Sequence, residues 1–247
     1  MKPASYALVG LAVVVGMLAV AHRQAIAARP EIGDWIDLST APEATDSIPA
    51  SAPVASVWES FDVYGFASAA IENYQVQTAM QTTDTGGQNV AAFLSMIAGS
   101  EGTDRAADPY RVCFGYQHTI ADLRDHPAIT GEWKGEKLPD ATCQGAGMRP
   151  GCVSTAAGRY QIIKPTWAAC ARALGLSDFT PASQDAAALY LIKQRGALDD
   201  VQAGRVADAI GKCRREWASL PGAGYGQPER RLTALLDTFT NAGGNLA

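Results

Sequence analysis

Residues 89–104 read NVAAFLSMIAGSEGTD. Val90, Phe93, Leu94 and Ile97 recur at i, i+3, i+4 and i+7, the spacing of one apolar face of an α-helix. Asn89 stands where a side-chain oxygen can cap the first free amides, so the pattern predicts a helix opening at 89. One further step of four along the stripe lands on Glu101, followed by Gly102, Thr103 and Asp104. A carboxyl group at the end of a buried face loses hydration, and its charged form is disfavoured. A raised pKa is what a general acid for glycosidic cleavage needs. The plainer alternative is a solvated glutamate just past a frayed helix end, and spacing alone favours that alternative. Gly99 and Gly102 leave room for another group to approach.

Downstream of this stretch the chain reads as four more helices. Pro165 can open one at its first position, and Gly175 can close it after Leu174. Thr180-Pro181 repeats the start signal, with Gly196 as the stop. Val206, Ile210, Cys213 and Trp217 make an apolar stripe ending before Pro221, and Pro228 can open a last helix with Leu232, Leu235, Leu236 and Phe239 inward. Between the first and second helices, residues 103–157 are rich in Gly, Pro and aromatics and read as short strands and loops. The expected fold class is therefore α+β: a mainly helical domain over 89–247 with a small β-rich lobe inserted after the first helix.

Upstream, Tyr6–Ala21 is an uncharged run of sixteen residues, roughly 24 Å long as a helix. It is expected to be a transmembrane anchor, or the core of a signal peptide cleaved after Ala25-Ile26-Ala27; the two readings stay open within residues 1–28. Residues 29–88 read as an acidic Pro/Ala-rich linker with a short helix near 56–80, ending in the turn-rich TTDTGGQ of 82–88. The flanking charges do not fix the orientation; with the N-terminus inside, either reading exports the rest of the chain, to the periplasmic face of the inner membrane or beyond it.

The whole chain of 247 residues has a net charge of −5, which argues against a nucleic-acid partner. That charge is local. Residues 24–88 carry nine acids against Arg29 alone, whereas residues 89–247 carry 17 bases against 16 acids. His22, His118 and His126 form no ligand cluster, so neither a metal nor another cofactor is expected.

Four separated segments carry a resemblance. AFLSMIAGSEGTD, STAAGRYQII, SQDAAALYLIKQRGAL and WASLPGAGYGQ, in this order, resemble the phage lambda lysozyme family. The resemblance runs from about Val90 through Gly244 and implies a lysozyme-like fold and a peptidoglycan lytic transglycosylase, phage lysis or virion-associated. In that family the Glu of the SEGTD motif is the catalytic acid, which implies the same for Glu101. The implied substrate is the glycan strand, cut between N-acetylmuramic acid and N-acetylglucosamine with a 1,6-anhydro product. Residues 105–153 depart from the family pattern in length and content. A hydrolytic lysozyme and a non-catalytic murein-binding scaffold are the rival readings, and the intact SEGTD argues against the scaffold. Hydrolysis usually needs a second carboxylate, for which Asp104 and Asp108 are candidates.

Further candidates come from two loops. Gly158-Arg159-Tyr160-Gln161 precedes a helix, where a turn can aim Tyr160 or Gln161 into a cleft, although Tyr160 also suits a core. An amide both donates to and accepts from sugar groups. The GAGYGQ run of 222–227 can bring backbone close to a sugar, with Tyr225 and Gln227 as contacts, or it is a simple connector. Ser154, Thr155 and Asp104 are candidate hydrogen bonders. Trp167 and Trp217 are expected in the core, and Trp133 is left open. Of five cysteines, Cys143 and Cys152 flank QGAGMRPG and are expected to form a disulfide pinning that lip; Cys170 and Cys213 could pair or be buried thiols, and Cys113 is unassigned.

Overall fold

The structure is a computed structural model, and it describes residues 63–81, 84–145, 147–225 and 228–247. The apolar run 6–21, the acidic chain of 29–62 and Gln227 lie outside the described residues. No helix among the described residues is long and apolar enough to cross a membrane.

Helix α1 spans Val63–Gln81 and α2 spans Thr85–Glu101. α2 begins four residues before the expected start, because Asp84 supplies the cap: its Oδ1 accepts from Gly87 N at 2.9 Å. Asn89 has another task. It is buried in the first turns of α2, where its Nδ2 donates to Gln202 O and its Oδ1 accepts from Asn245 N. The stripe of Val90, Phe93 and Ile97 is buried, with Leu94 beside it. Removing a side chain of that size from water contributes about 1.5–3 kcal/mol. α2 packs against α1 and against the helices over Pro181–Gln194, Leu198–Gln202 and Leu232–Asn241.

α1 lies within the stretch read as linker, and it is docked along the fold. Val76 and Ala79 are buried, Asn73 Nδ2 donates to Leu174 O at 3.0 Å, and Lys193 pairs with Glu72 and Gln75.

The β-rich lobe is smaller than the sequence suggested. It holds the short helices α3 (Pro127–Thr130) and α4 (Asp140–Gly145) and two strands, β1 (Glu136–Lys137) and β2 (Val153–Ser154), paired antiparallel with Glu136 opposite Ser154. Isolated bridges join Val112 to Thr119 and Cys113 to Ala157. Longer strands are interrupted by turns: Asp108 caps a 3₁₀ turn at Pro109–Arg111, and Gly115, Tyr116, Gly131 and Gly135 all have positive φ. Among the described residues the fold is thus mainly helical, with one small sheet.

The remaining helices are α5 (Lys164–Leu174), α6 (Pro181–Gln194), α7 (Leu198–Gln202), α8 (Val206–Cys213) and α9 (Leu232–Asn241). Gly175 closes α5 in the left-handed region, and Thr180-Pro181 opens α6 as expected. α5 starts one residue before Pro165. α8 stops at Cys213, and Trp217 reaches the core from the following turn. α9 starts at Leu232 rather than Pro228. The intervening residues are committed to loop contacts: Glu229 accepts from Gly222 N and Gly224 N, and Arg230 N donates to Ser219 O. Leu232 is consequently exposed, while Leu235 and Phe239 face inward.

Candidate active site

Glu101 ends α2. Gly102 follows in the left-handed region at φ 79°, and its N–H returns to Ala98 O and Gly99 O. A Cβ on Gly102 would sit 2.9 Å from Tyr116 Oη, so both the backbone and the neighbour require glycine. The Tyr116 hydroxyl donates to Glu101 O at 3.1 Å and fixes the turn from the lobe side.

A residue from far along the chain meets the carboxyl group. Ser219 Oγ lies 2.7 Å from Glu101 Oε1 and 2.9 Å from Ser100 Oγ. Ser219 is held by its neighbours: Trp217 Nε1 donates to Tyr160 O, and Leu220 is fully buried. Arg230 spans the same place, with its N–H on Ser219 O at 2.8 Å and its Nε on Ser100 O at 3.0 Å. That guanidinium meets an unsatisfied carbonyl at a helix C-terminus, where positive charge is favoured. Burial pushes the Glu101 carboxyl up to about 7, against the lowering effects of the Ser219 hydrogen bond and the Arg230 charge. A group poised there donates and accepts protons near neutrality.

The structure separates the other expected residues. Asp104 is exposed beside the Gly99 end of α2. Asp108 accepts from Tyr110 N and pairs with Arg111, a local cap. Tyr160 is not a cleft residue: it is 1% exposed, and its hydroxyl donates to Asp185 Oδ1 at 2.6 Å. The reason is a polar cluster in which Asp185 also accepts from Tyr110 Oη, and Arg159 donates to Tyr110 Oη and Ser95 Oγ. A cavity of about 210 Å³ flanks this cluster, lined by Val90, Leu94 and Ser95 of α2 with Arg159 and Asp185. Leu94 precedes Glu101 by roughly 10 Å along the helix.

Gln161, at φ 48°, turns its amide inward to donate to Val112 O and Gly158 O, so it braces the turn. Tyr225 is 36% exposed, and its hydroxyl donates to Arg215 O rather than to Glu101. Ser154 Oγ accepts from Ala156 N, and Thr155 Oγ1 accepts from Lys164 N at the start of α5. Cys143 and Cys152 are joined, whereas Cys113, Cys170 and Cys213 are buried thiols. Burial pushes all three thiols up to about 12, which makes them packing groups. His126 is buried, with Nε2 3.0 Å from Ile162 O and its pKa pushed down to about 4, chiefly by burial. His118 sits against Glu132. Trp133 is partly buried against the core, and Trp167 is within it. Ser219 and Arg230 were not among the sequence candidates, though Ser219 lies inside the quoted WASLPGAGYGQ segment.

The endolysin family model matches residues 91–246. The chain belongs to the endolysin family. An endolysin of Escherichia phage P2 is 45% identical over 157 residues, covering 64% of this chain and 94% of the relative. The endolysin of Escherichia phage lambda is 42% identical over 160 residues, covering 63% and 91%. Among solved structures, bacteriophage lambda lysozyme complexed with a chitohexasaccharide aligns with a TM-score of 0.54 at 40% identity, over 65% of this chain and 97% of that one. A second lambda lysozyme structure gives 0.52 at 39% identity over the same shares. The resemblance carried by the four motifs is thereby shown, and the fold of this endolysin domain is lambda lysozyme-like. Glu101, Ser219, Tyr225 and Arg230 fall inside the matched span, and α1 falls outside it.

Proposed function

We propose that this chain is a peptidoglycan-lytic glycosidase and, more narrowly, a lytic transglycosylase with Glu101 as its only catalytic carboxyl group. The observation that carries the reading is the state of that group. It is half-buried, burial pushes its pKa up to about 7, and the groups that oppose the rise are Ser219 and Arg230, with no second carboxylate acting on it. A hydrolase of the usual kind needs a partner carboxylate across the bond. Asp108 is bound up in a local cap, and Asp104 is exposed beside Gly99, three residues after Glu101. Endolysin relatives and the chitohexasaccharide complex of the lambda lysozyme support a glycan strand as substrate.

In the proposed reaction neutral Glu101 gives its proton to the oxygen linking N-acetylmuramic acid to N-acetylglucosamine. The C1–O bond breaks and charge develops at C1. The resulting carboxylate takes the proton of the muramic C6 hydroxyl as O6 closes on C1. The proton is returned, no water is consumed, and the new end is a 1,6-anhydro sugar. Export belongs to the same reading: residues 6–21 take the chain across or into the inner membrane, and the acidic chain after them spans toward the wall.

Mass analysis of muropeptides released from purified sacculi tests the reaction. Anhydro ends are expected, and reducing muramic ends would replace this mechanism with hydrolysis.

A further inference from the structure

Ser219 has one hydroxyl proton and two acceptors within reach, and this asymmetry is informative. Ser100 Oγ lies 2.8 Å from Ile97 O, a carbonyl that can only accept, so the Ser100 proton is committed there. Ser100 can therefore only accept from Ser219, at 2.9 Å. The other acceptor is Glu101 Oε1, at 2.7 Å. When Glu101 is neutral, its oxygen is an ordinary acceptor and Ser100 competes for the proton. When Glu101 is ionised, a charge-assisted bond wins, and such bonds are roughly twice as strong as neutral ones. Arg230 keeps both partners in place, since it holds Ser219 O by its N–H and Ser100 O by its Nε.

We propose that Ser219 is a positioning residue whose proton moves its allegiance from Ser100 to Glu101 as the carboxyl group ionises. The bond to Oε1 strengthens as the proton leaves for the glycosidic oxygen, so it stabilises the transition state more than the bound substrate. The described residues place no hydrogen bond on Oε2, and that oxygen is left to carry the proton to the sugar. Ser219 itself loses and gains no proton. The proposal rests on Glu101 being the acid.

The charged and titratable groups around the carboxyl are few. Arg230 faces it from the loop before α9, and Tyr116 faces it from the lobe. Asp104 and Arg105 lie beside Tyr116. Glu229 is turned away onto the amides of Gly222 and Gly224.

The test is the pH profile of kcat and kcat/KM on soluble glycan strands for the full chain and four variants. Ser219→Ala should lower kcat roughly 10- to 100-fold, the size of one hydrogen bond to a charged group, with KM little changed. It should also move the alkaline limb upward, because the ionised form has lost its donor. Ser219→Thr keeps a hydroxyl and should recover most of the loss. Ser100→Ala removes the competing acceptor, so Ser219 serves Glu101 in both states. Its alkaline limb should move downward, with a smaller loss in kcat. Opposite shifts at adjacent hydroxyls are not produced by a general loosening of the site. Limbs that stay put, or move the same way in both alanine variants, overturn the relay while Glu101→Gln remains inactive. Activity in Glu101→Gln overturns the reading beneath it and the relay with it.

Discussion

Two carboxyl groups in this fold are taken out of water and are treated in opposite ways. Asp185, on α6, accepts from the Tyr160 and Tyr110 hydroxyls, with Arg159 at 4.0 Å and stacked over both rings. Burial raises its pKa, and those three neighbours oppose the rise. Glu101 has one donor and one more distant cation, and it ends a helix beside two glycines. The difference lies in saturation. A carboxylate with donors on both oxygens is fixed as part of the scaffold, whereas one with an uncommitted oxygen can exchange a proton with something that arrives. Burial raises both carboxyls, so burial alone does not distinguish them; the uncommitted oxygen of Glu101 does.

The sharpest way to break this contrast is Glu101→Gln. Turnover should fall by about 10²–10⁴, because the amide keeps the shape and cannot deliver a proton. Retention of more than about a tenth of wild-type kcat would place the acid elsewhere. In the wild type, kcat/KM should fall as pH rises through about 7, where the carboxyl gives up its proton.

Asp185→Ala should do the reverse. It strands Arg159 and two hydroxyls, so the unfolding free energy should drop by about 3 kcal/mol. Denaturant titration would measure that, and turnover per folded molecule should stay near wild type. A large kcat effect at full folding would erase the distinction between the two carboxyls.

Stability against pH sharpens the comparison further. The folded pKa of Glu101 lies above its ordinary value of 4.5. Below that value the group is neutral in both states. As pH rises toward 7 the unfolded chain releases its proton first, and stability falls. Glutamine is neutral throughout, so Glu101→Gln should be more stable than wild type at pH 8, by ~1–2 kcal/mol once solvent screening is allowed for. The gain should shrink at pH 5. Equal melting at both values would mean that the wild-type carboxyl is well hydrated.

The predictions at the lips are smaller. Non-reducing mass analysis should find Cys143 bonded to Cys152, and replacing both by Ser should cost roughly 2–3 kcal/mol. Free thiols at both positions would remove the staple. Tyr225→Phe loses one exposed hydrogen bond to Arg215 O and should change stability by under ~1 kcal/mol, with turnover reduced far less than in Glu101→Gln.

How much of this was legible depended on distance along the chain. The stripe of its own helix put Glu101 at the helix end, but its role came only from the SEGTD resemblance; Thr180-Pro181 and Gly175 worked because caps act over one turn. Asn89 misled because Asp84, five residues earlier, is the better placed cap. Pro228 and Leu232 misled because Glu229 is committed to the amides of Gly222 and Gly224, and Arg230 to Ser219 and Ser100. Ser219 is 118 residues from Glu101, and no spacing rule connects them. Tyr160 looked equally fit for a cleft or a core until Asp185 supplied its hydroxyl with a partner. The lobe strands failed because positive-φ residues at 115, 116, 131 and 135 cut each run short.

The docking of α1 bears on how this domain is handled as a material. A chain shortened to begin at residue 89 would match the family boundary closely. It would also lose the helix that covers α5 and α6, together with Asp84 and the first turn of α2. Lys193 would then be deprived of Glu72 and the Leu174 carbonyl of Asn73, so the shortened chain should melt lower. Beginning the chain at Val63 keeps those contacts, and the heat tolerance of the domain becomes a property of α1 as much as of the helices it covers.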